Sequence, residues 1–108
     1  MAEKLNSLVN AGVSPKGAGP YDPEELLEIL ELLKNSGWAI QTLECYDRAL
    51  EKYPLLTEYS VIGMDAREEE FHYHGSSEQA NALVGQKIGR AIESGRDVEY
   101  MLWLDRTN

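Results

Sequence analysis

The sequence predicts an α+β fold, in which helices pack on a small antiparallel or mixed sheet of about three strands, in the order α-α-β-β-α-β. Two segments, 22–37 and 76–95, combine helical periodicity with helix start and stop signals. Segments rich in β-branched and aromatic residues, typical of strands, lie at 58–64, 69–74 and 98–104. The chain of 108 residues is long enough for one core, so we predict a single domain over 1–108.

Residues 1–21 are expected to form a partly irregular amino-terminal arm. Residues 2–10 can make a short helix with Leu5, Leu8 and Val9 on one side. The segment that follows, AGVSPKGAGPYDP, is punctuated by Gly and Pro, which favours a loop.

The strongest local prediction is a helix that begins after Asp22 and ends at Gly37. Asp22 is a preferred N-cap residue, and Pro23 suits the first helical position, where its missing N–H needs no partner. An apolar stripe at helical spacing comprises Leu26, Leu27, Ile29, Leu30 and Leu33. The opposite side carries three glutamates, namely Glu24, Glu28 and Glu31.

The segment WAIQTLECYDRALEKYP, residues 38–54, fits two secondary structures. With a period of two, its first half is compatible with a strand. With a helical period, one face collects Ala39, Leu43, Tyr46, Leu50 and Tyr53. Ala, Leu, Glu and Lys favour helix, and Pro54 would stop it. We therefore predict a helix over 38–52, with the strand as the open alternative.

The second half of the chain predicts a hairpin, a helix and a strand. TEYSVIGMD and EFHYH favour a hairpin of 58–64 with 69–74. Ser76 and Gln79 have capping-box spacing for a helix that runs to Ser94. Its inward side is expected to comprise Leu83, Val84, Ile88, Ala91 and Ile92. Residues 98–104, VEYMLWL, are apolar on both faces, which indicates a strand inside the sheet.

Charge indicates the class of partner. Nineteen acidic residues against ten basic ones give a net charge of −9, spread over both halves of the chain. This field repels phosphates, so we expect no direct nucleic-acid binding, and it attracts a basic protein. Alternatively, the charge only keeps a small protein soluble. No apolar run could cross a bilayer and no signal-peptide stretch is present, so we expect a cytoplasmic protein with no membrane partner.

The stretch REEEFHYH, residues 67–74, raises the question of a metal or acid–base site. In a strand, Glu70, His72 and His74 point to one side, but a metal needs three or four converging ligands. An amphipathic strand with one wet face gives the same pattern. Cys45, the single cysteine, could act as a nucleophile with a histidine as base, although lone cysteines more often fill cores. We predict no catalytic residue, no metal and no cofactor.

The acidic surface is the remaining candidate for a site. The first-choice partner contacts lie at the turn of the predicted hairpin and are Asp65, Glu68, Glu69 and Glu70. The second-choice contacts lie on the helix that follows Asp22 and are Glu24, Glu28 and Glu31. The simpler interpretation of both sets is a solvated face. As a docking surface, they would meet Lys and Arg, with Tyr and Trp as apolar anchors.

Residues 37–54 resemble part of a tetratricopeptide repeat. The positions at that family's spacing are Gly37, Tyr46, Ala49 and Pro54. The resemblance covers one unit and implies a helical hairpin over 23–54, as in a small protein-interaction adaptor.

The whole chain also resembles bacterial toxin-immunity proteins in size, acidity and layout. Residues 81–104 are similar to the closing helix and strand of immunity proteins that block colicin-like tRNA-cleaving toxins. The matching positions are Asn81, Leu83, Ile88, Ile92, Glu93 and Gly95. In that family a strand tends to follow the first helix, whereas periodicity here favours a helix over 38–52.

The sequence therefore predicts a non-enzymatic acidic binding protein. We expect an immunity or inhibitor protein that mimics nucleic acid and blocks a basic partner, such as a nuclease toxin. A phage inhibitor of a nucleic-acid-binding defence complex, similar to an anti-CRISPR protein, would act in the same way. The alternatives from other classes are the tetratricopeptide-like adaptor and a metal-dependent enzyme that uses His72 and His74.

Overall fold

Helices and strands alternate along most of the chain. The computed structural model describes residues 2–62 and 77–106. Its helices are α1 (Ala2–Gly12), α2 (Pro23–Leu33) and α3 (Ser77–Ser94), and a short 3₁₀ helix spans Thr57–Tyr59. Its strands are β1 (Ala18–Tyr21), β2 (Trp38–Asp47), β3 (Val61–Ile62) and β4 (Val98–Arg106).

The predicted α+β class is confirmed. With the short strand β1 left aside, the elements also run in the predicted order α-α-β-β-α-β, although the first two helices are 2–12 and 23–33 instead of the predicted 22–37 and 38–52. Over residues 2–62 and 77–106 the sheet has four strands in the order β1-β4-β2-β3, rather than about three, and every pairing is antiparallel. As the apolar run of 98–104 predicted, β4 lies inside the sheet.

One face of β4 forms the centre of the core. Side chains alternate along a strand, so Val98, Tyr100, Leu102 and Leu104 share a face, and all four are buried. Buried residues of all three helices join them in one apolar cluster. On the opposite face of the strand, Met101 and Trp103 are only half-buried. The described part of the molecule therefore has its helices on one side of the sheet.

The start of α2 follows the predicted capping chemistry. The Asp22 carboxylate accepts a hydrogen bond from the Glu25 N–H at 2.8 Å, and the Glu25 carboxylate accepts one from the Asp22 N–H at 3.0 Å. This reciprocal capping box satisfies two N–H groups that would otherwise lack partners. The helix ends at Leu33, earlier than expected. Gly37, with φ of 82°, lies in the turn into β2, where its lack of Cβ permits the left-handed conformation.

The predicted helix over 38–52 is wrong, because residues 38–47 form strand β2. The pairing with β4 shifts by one residue between Ile40 and Thr42, which leaves Gln41 as a bulge. The bulge places buried Ile40 and Leu43 three residues apart instead of two. This spacing imitates helical periodicity. The helical hairpin over 23–54, and with it the structural basis of the tetratricopeptide resemblance, is therefore wrong.

The amino-terminal segment is more regular than predicted. Residues 2–12 are helical, as expected for 2–10, but Ala18–Tyr21 forms strand β1 against β4 instead of a loop. Gly12 brings the end of α1 onto the sheet. A Cβ at this position would lie 2.6 Å from Cγ of Leu104, closer than real Cβ contacts allow.

The predictions for the second half are confirmed in part. Helix α3 ends at Ser94 as predicted, but Ile92 is 49% exposed and does not face inward. The predicted strand 58–64 is wrong at its start, because Thr57–Tyr59 is a 3₁₀ helix. β3 pairs with β2, and the predicted partner segment 69–74 lies outside the described residues. No helix in the described ranges combines the length and the apolar character needed to cross a membrane.

Asn81 joins α3 to the start of β2. Its Oδ1 accepts a hydrogen bond from the Ile40 N–H at 2.9 Å, and its Nδ2 donates one to the Trp38 carbonyl at 3.1 Å. In Asn81→Ala the N–H of buried Ile40 loses its acceptor, so we expect the free energy of unfolding to fall by about 1–3 kcal/mol. Urea denaturation measures the change. Asn6→Ala, on the exposed side of α1, is the control and should change stability by less than about 0.5 kcal/mol.

Replacement by alanine should have opposite effects on stability at two glycines that lie in helices. A Cβ at Gly89 meets nothing within 4 Å, whereas a Cβ at Gly12 collides with Leu104. Gly89→Ala should therefore raise the free energy of unfolding by about 0.5–1 kcal/mol through helix propensity. Gly12→Ala should lower it by about 1–3 kcal/mol, because α1 must move away from β4. Equal stabilities in thermal denaturation would contradict the close approach of α1 to the sheet.

Candidate functional site: an acidic groove between two helices

The first-choice partner contacts fall outside the part of the chain that the structure describes. Asp65, Glu68, Glu69 and Glu70 belong to residues 63–76, and so do His72 and His74. Their role as a docking surface stays a prediction.

The second-choice contacts lie on α2, as predicted. Glu24, Glu28 and Glu31 are all exposed to solvent, while Leu26 and Leu33 on the other side are buried. Glu28 and Glu31 line a groove between α1 and α2, whereas Glu24 does not. The structure therefore brings two of the three carboxylates to one concave surface.

This α1–α2 groove has an apolar floor and a charged rim. Its volume is about 750 Å³. The floor comprises Leu8, Tyr21, Ile29 and Leu32, and the rim comprises Glu3, Lys4, Glu25, Glu28 and Glu31. Leu8 and Ile29 are buried, so the floor is continuous with the core. A pocket of this size is within the range that small-molecule sites occupy.

The groove exists because both helices are anchored to the sheet and hardly to each other. α1 packs on β4 and β1, and α2 packs on α3, β4 and β1, but few contacts join α1 to α2 directly. Neighbouring helices in close contact lie 8–10 Å apart with interdigitated side chains. Without that interdigitation, a gap remains between the two helices, and Tyr21 and Leu32 stay half-exposed in it.

The rim carboxylates differ in how far they are already engaged. Glu25 belongs to the capping box of α2. Glu31 pairs with Lys34, but both side chains are about 70% exposed, and such surface pairs contribute little. Glu3 and Glu28 make no ion pair or hydrogen bond within residues 2–62 and 77–106. Two carboxylates at the rim are therefore available to a partner's cations.

The pKa of Tyr21 reflects the burial and the charge at the floor of the groove. Burial raises the pKa of its hydroxyl above the ordinary value, and the negative charge of Glu25 raises it further. Both effects disfavour an additional negative charge in the groove. A cation entering the groove would gain from the Glu25 charge alone, because burial disfavours a charge of either sign.

No known protein family, curated protein or solved structure matches the chain.

Cys45 does not have the surroundings of a catalytic nucleophile. It lies on β2 with its side chain fully buried, and the hydroxyl of Ser60 accepts a hydrogen bond from its N–H at 3.0 Å. Burial raises the pKa of the thiol to about 11, so the reactive thiolate is scarce at neutral pH. In the described ranges, moreover, no group of three or more His, Cys, Asp or Glu is placed to hold a metal ion.

The sequence did not predict that α1 contributes residues to the groove. Glu3, Lys4 and Leu8 line the groove, but the amino-terminal segment was expected to be an arm. One signal was available, because Leu5, Leu8 and Val9 form an amphipathic stripe that must pack on something. Which helix it would lie beside depends on tertiary structure.

The thiol of Cys45 should react slowly in the folded protein. At pH 8, a pKa of about 11 instead of 9.0 lowers the thiolate fraction about 100-fold, and burial hinders access further. Modification by a disulfide reagent, followed by absorbance, should therefore be at least about 100-fold slower in buffer than in denaturant. Comparable rates in the two conditions would restore the nucleophile hypothesis.

Proposed function

We propose that the protein is a non-enzymatic acidic inhibitor that acts in the cytoplasm and blocks a basic, nucleic-acid-acting partner, as immunity proteins do. The observation that carries this proposal is the exposed carboxylate row of α2 beside an apolar groove. A protein surface with both features can attract a basic site by charge and hold it by apolar contact.

The spacing of these carboxylates supports mimicry of a nucleic-acid strand. Glu24, Glu28 and Glu31 follow one another by four and three residues, or about 6 and 4.5 Å along the helix axis. One strand of DNA carries a negative charge about every 3.4 Å of axis. The helix therefore presents negative charge at a density of the same order. The net charge of −9 would further speed the encounter with a basic protein.

The layout of the elements supports the immunity-protein interpretation over the adaptor. That resemblance favours a strand where periodicity favours a helix over 38–52, and β2 occupies residues 38–47. Within the closing helix and strand, Ile88 is a core residue, and Gly95, with φ of 72°, ends α3 in the left-handed conformation. The adaptor hypothesis requires a helical hairpin over 23–54, but residues 38–47 form a strand. An inhibitor of a phage-defence complex would use the same acidic surface.

The experiment begins by capturing the tagged chain from cells that encode it and identifying the bound proteins. We expect a basic protein that binds or cleaves nucleic acid. The activity of the purified partner on nucleic acid is then titrated with the chain. The triple variant Glu24→Lys, Glu28→Lys, Glu31→Lys should raise the concentration needed for half-inhibition about 10-fold or more.

The control reverses the same number of charges elsewhere. Glu51→Lys, Glu93→Lys and Asp105→Lys change exposed residues away from α2. This variant alters the net charge equally, so its inhibition should weaken much less and mainly through a slower association. If both variants lost inhibition equally, net charge alone, and not the position of the carboxylates on α2, would explain the inhibition. A partner that is neither basic nor active on nucleic acid would refute the proposed function.

A further inference from the structure

The α1–α2 groove has a length and a charge pattern that point to a particular occupant. Its carboxylates do not converge on one point. Glu25, Glu28 and Glu31 follow at three-residue steps, so they span about 9 Å along the axis of α2. Glu3 faces them from α1. An extended array of this kind suits several cations spaced along a partner rather than a single ion.

The floor of the groove offers apolar surface to a partner. Tyr21 and Leu32 are only half-buried at the bottom of a gap that no side chain of the described ranges fills. Covering such surface stabilises a complex by about 25 cal/mol for each Å² removed from water. A partner made only of charges would leave this contribution unused. The occupant must therefore combine apolar and basic side chains.

Charge complementarity decides between the possible occupants. The rim holds four carboxylates, Glu3, Glu25, Glu28 and Glu31, against two ammonium groups, those of Lys4 and of Lys34, the partner of Glu31. A second copy of this chain would bring another charge of −9 to the groove. A nucleic acid or a phosphate would be repelled for the same reason. A basic segment of another protein is the occupant that the field favours.

We infer that the α1–α2 groove receives one basic amphipathic helix of the partner, with its apolar side chains on Tyr21 and Leu32 and its Lys or Arg residues at Glu3, Glu28 and Glu31. Helices that dock in grooves place anchors at i, i+3, i+4 and i+7, and this period matches the carboxylate steps of α2. The inference rests on the proposed function and specifies how the partner is held.

The probe is a synthetic peptide of about 18 residues, long enough to form a helix, with Leu at helical spacing on one face and Lys on the other. The titration is followed by ¹⁵N–¹H NMR at about 50 mM and about 300 mM salt. We expect shift changes confined to 3–8, 21 and 25–32. A peptide of the same composition with a rearranged order, which has no apolar face, should bind at least about fivefold more weakly.

Two pairs of variants test the floor and the rim separately. Leu32→Ser should weaken the peptide about fivefold or more, whereas Leu27→Ser, at an exposed position outside the groove, should not. Glu28→Gln should weaken it about threefold, whereas Glu51→Gln, at an exposed position outside the groove and outside α2, should leave it unchanged. The Glu28 pair keeps the test valid if Leu32→Ser fails to fold.

The outcomes separate this inference from the proposed function. Shift changes spread over the whole acidic surface, equal binding of the rearranged peptide, or no effect at Leu32 and Glu28 would each overturn the groove as a helix site. The inhibition assay with the captured partner stands apart from these results. If charge reversal on α2 abolishes inhibition while Leu32→Ser leaves it intact, the proposed function holds and the helix-in-groove inference falls.

Discussion

The burial of β4 is the constraint on which the rest of the structure depends. This strand pairs with β1 on one side and β2 on the other, and one of its faces forms the centre of the core. α1 and α2 both pack on this strand, so their separation is set by the sheet beneath them. Gly12 lets α1 approach Leu104 closely. The α1–α2 groove follows from this arrangement, because each helix buries its stripe against the sheet before it can close on its neighbour.

Local signals were sufficient for the start of α2, the end of α3 and β4. Asp22 and Pro23 mark the start of α2 through hydrogen-bond and backbone requirements that are satisfied within a few residues. β2 could not be predicted in this way. Its bulge at Gln41 breaks the two-residue alternation, and a strand with one extra residue presents its apolar side chains at helix-like intervals. Pairing with β4, a partner distant in sequence, overrides the helix propensity of the segment.

The site was predictable to the extent that it lies on one element. The period of α2 places Glu28 and Glu31 on its outer side, and the structure agrees. The groove itself needs two helices and the distance between them, which no local pattern contains. β1 was not predicted because Gly19 and Pro20 are loop-forming residues. In the described ranges, however, β1 is an edge strand, and edge strands tolerate proline.

The strand β1 has a further consequence for recognition. In the described ranges it borders the sheet with four residues, one of them Pro20. Such a short border offers few free amide and carbonyl groups to an incoming polypeptide, which guards against sheet extension and fibril-like stacking at this margin. Association through main-chain pairing is thereby disfavoured along β1. Selectivity at this margin then resides in side-chain relief and charge, and these can change by single substitutions without any rearrangement of the scaffold.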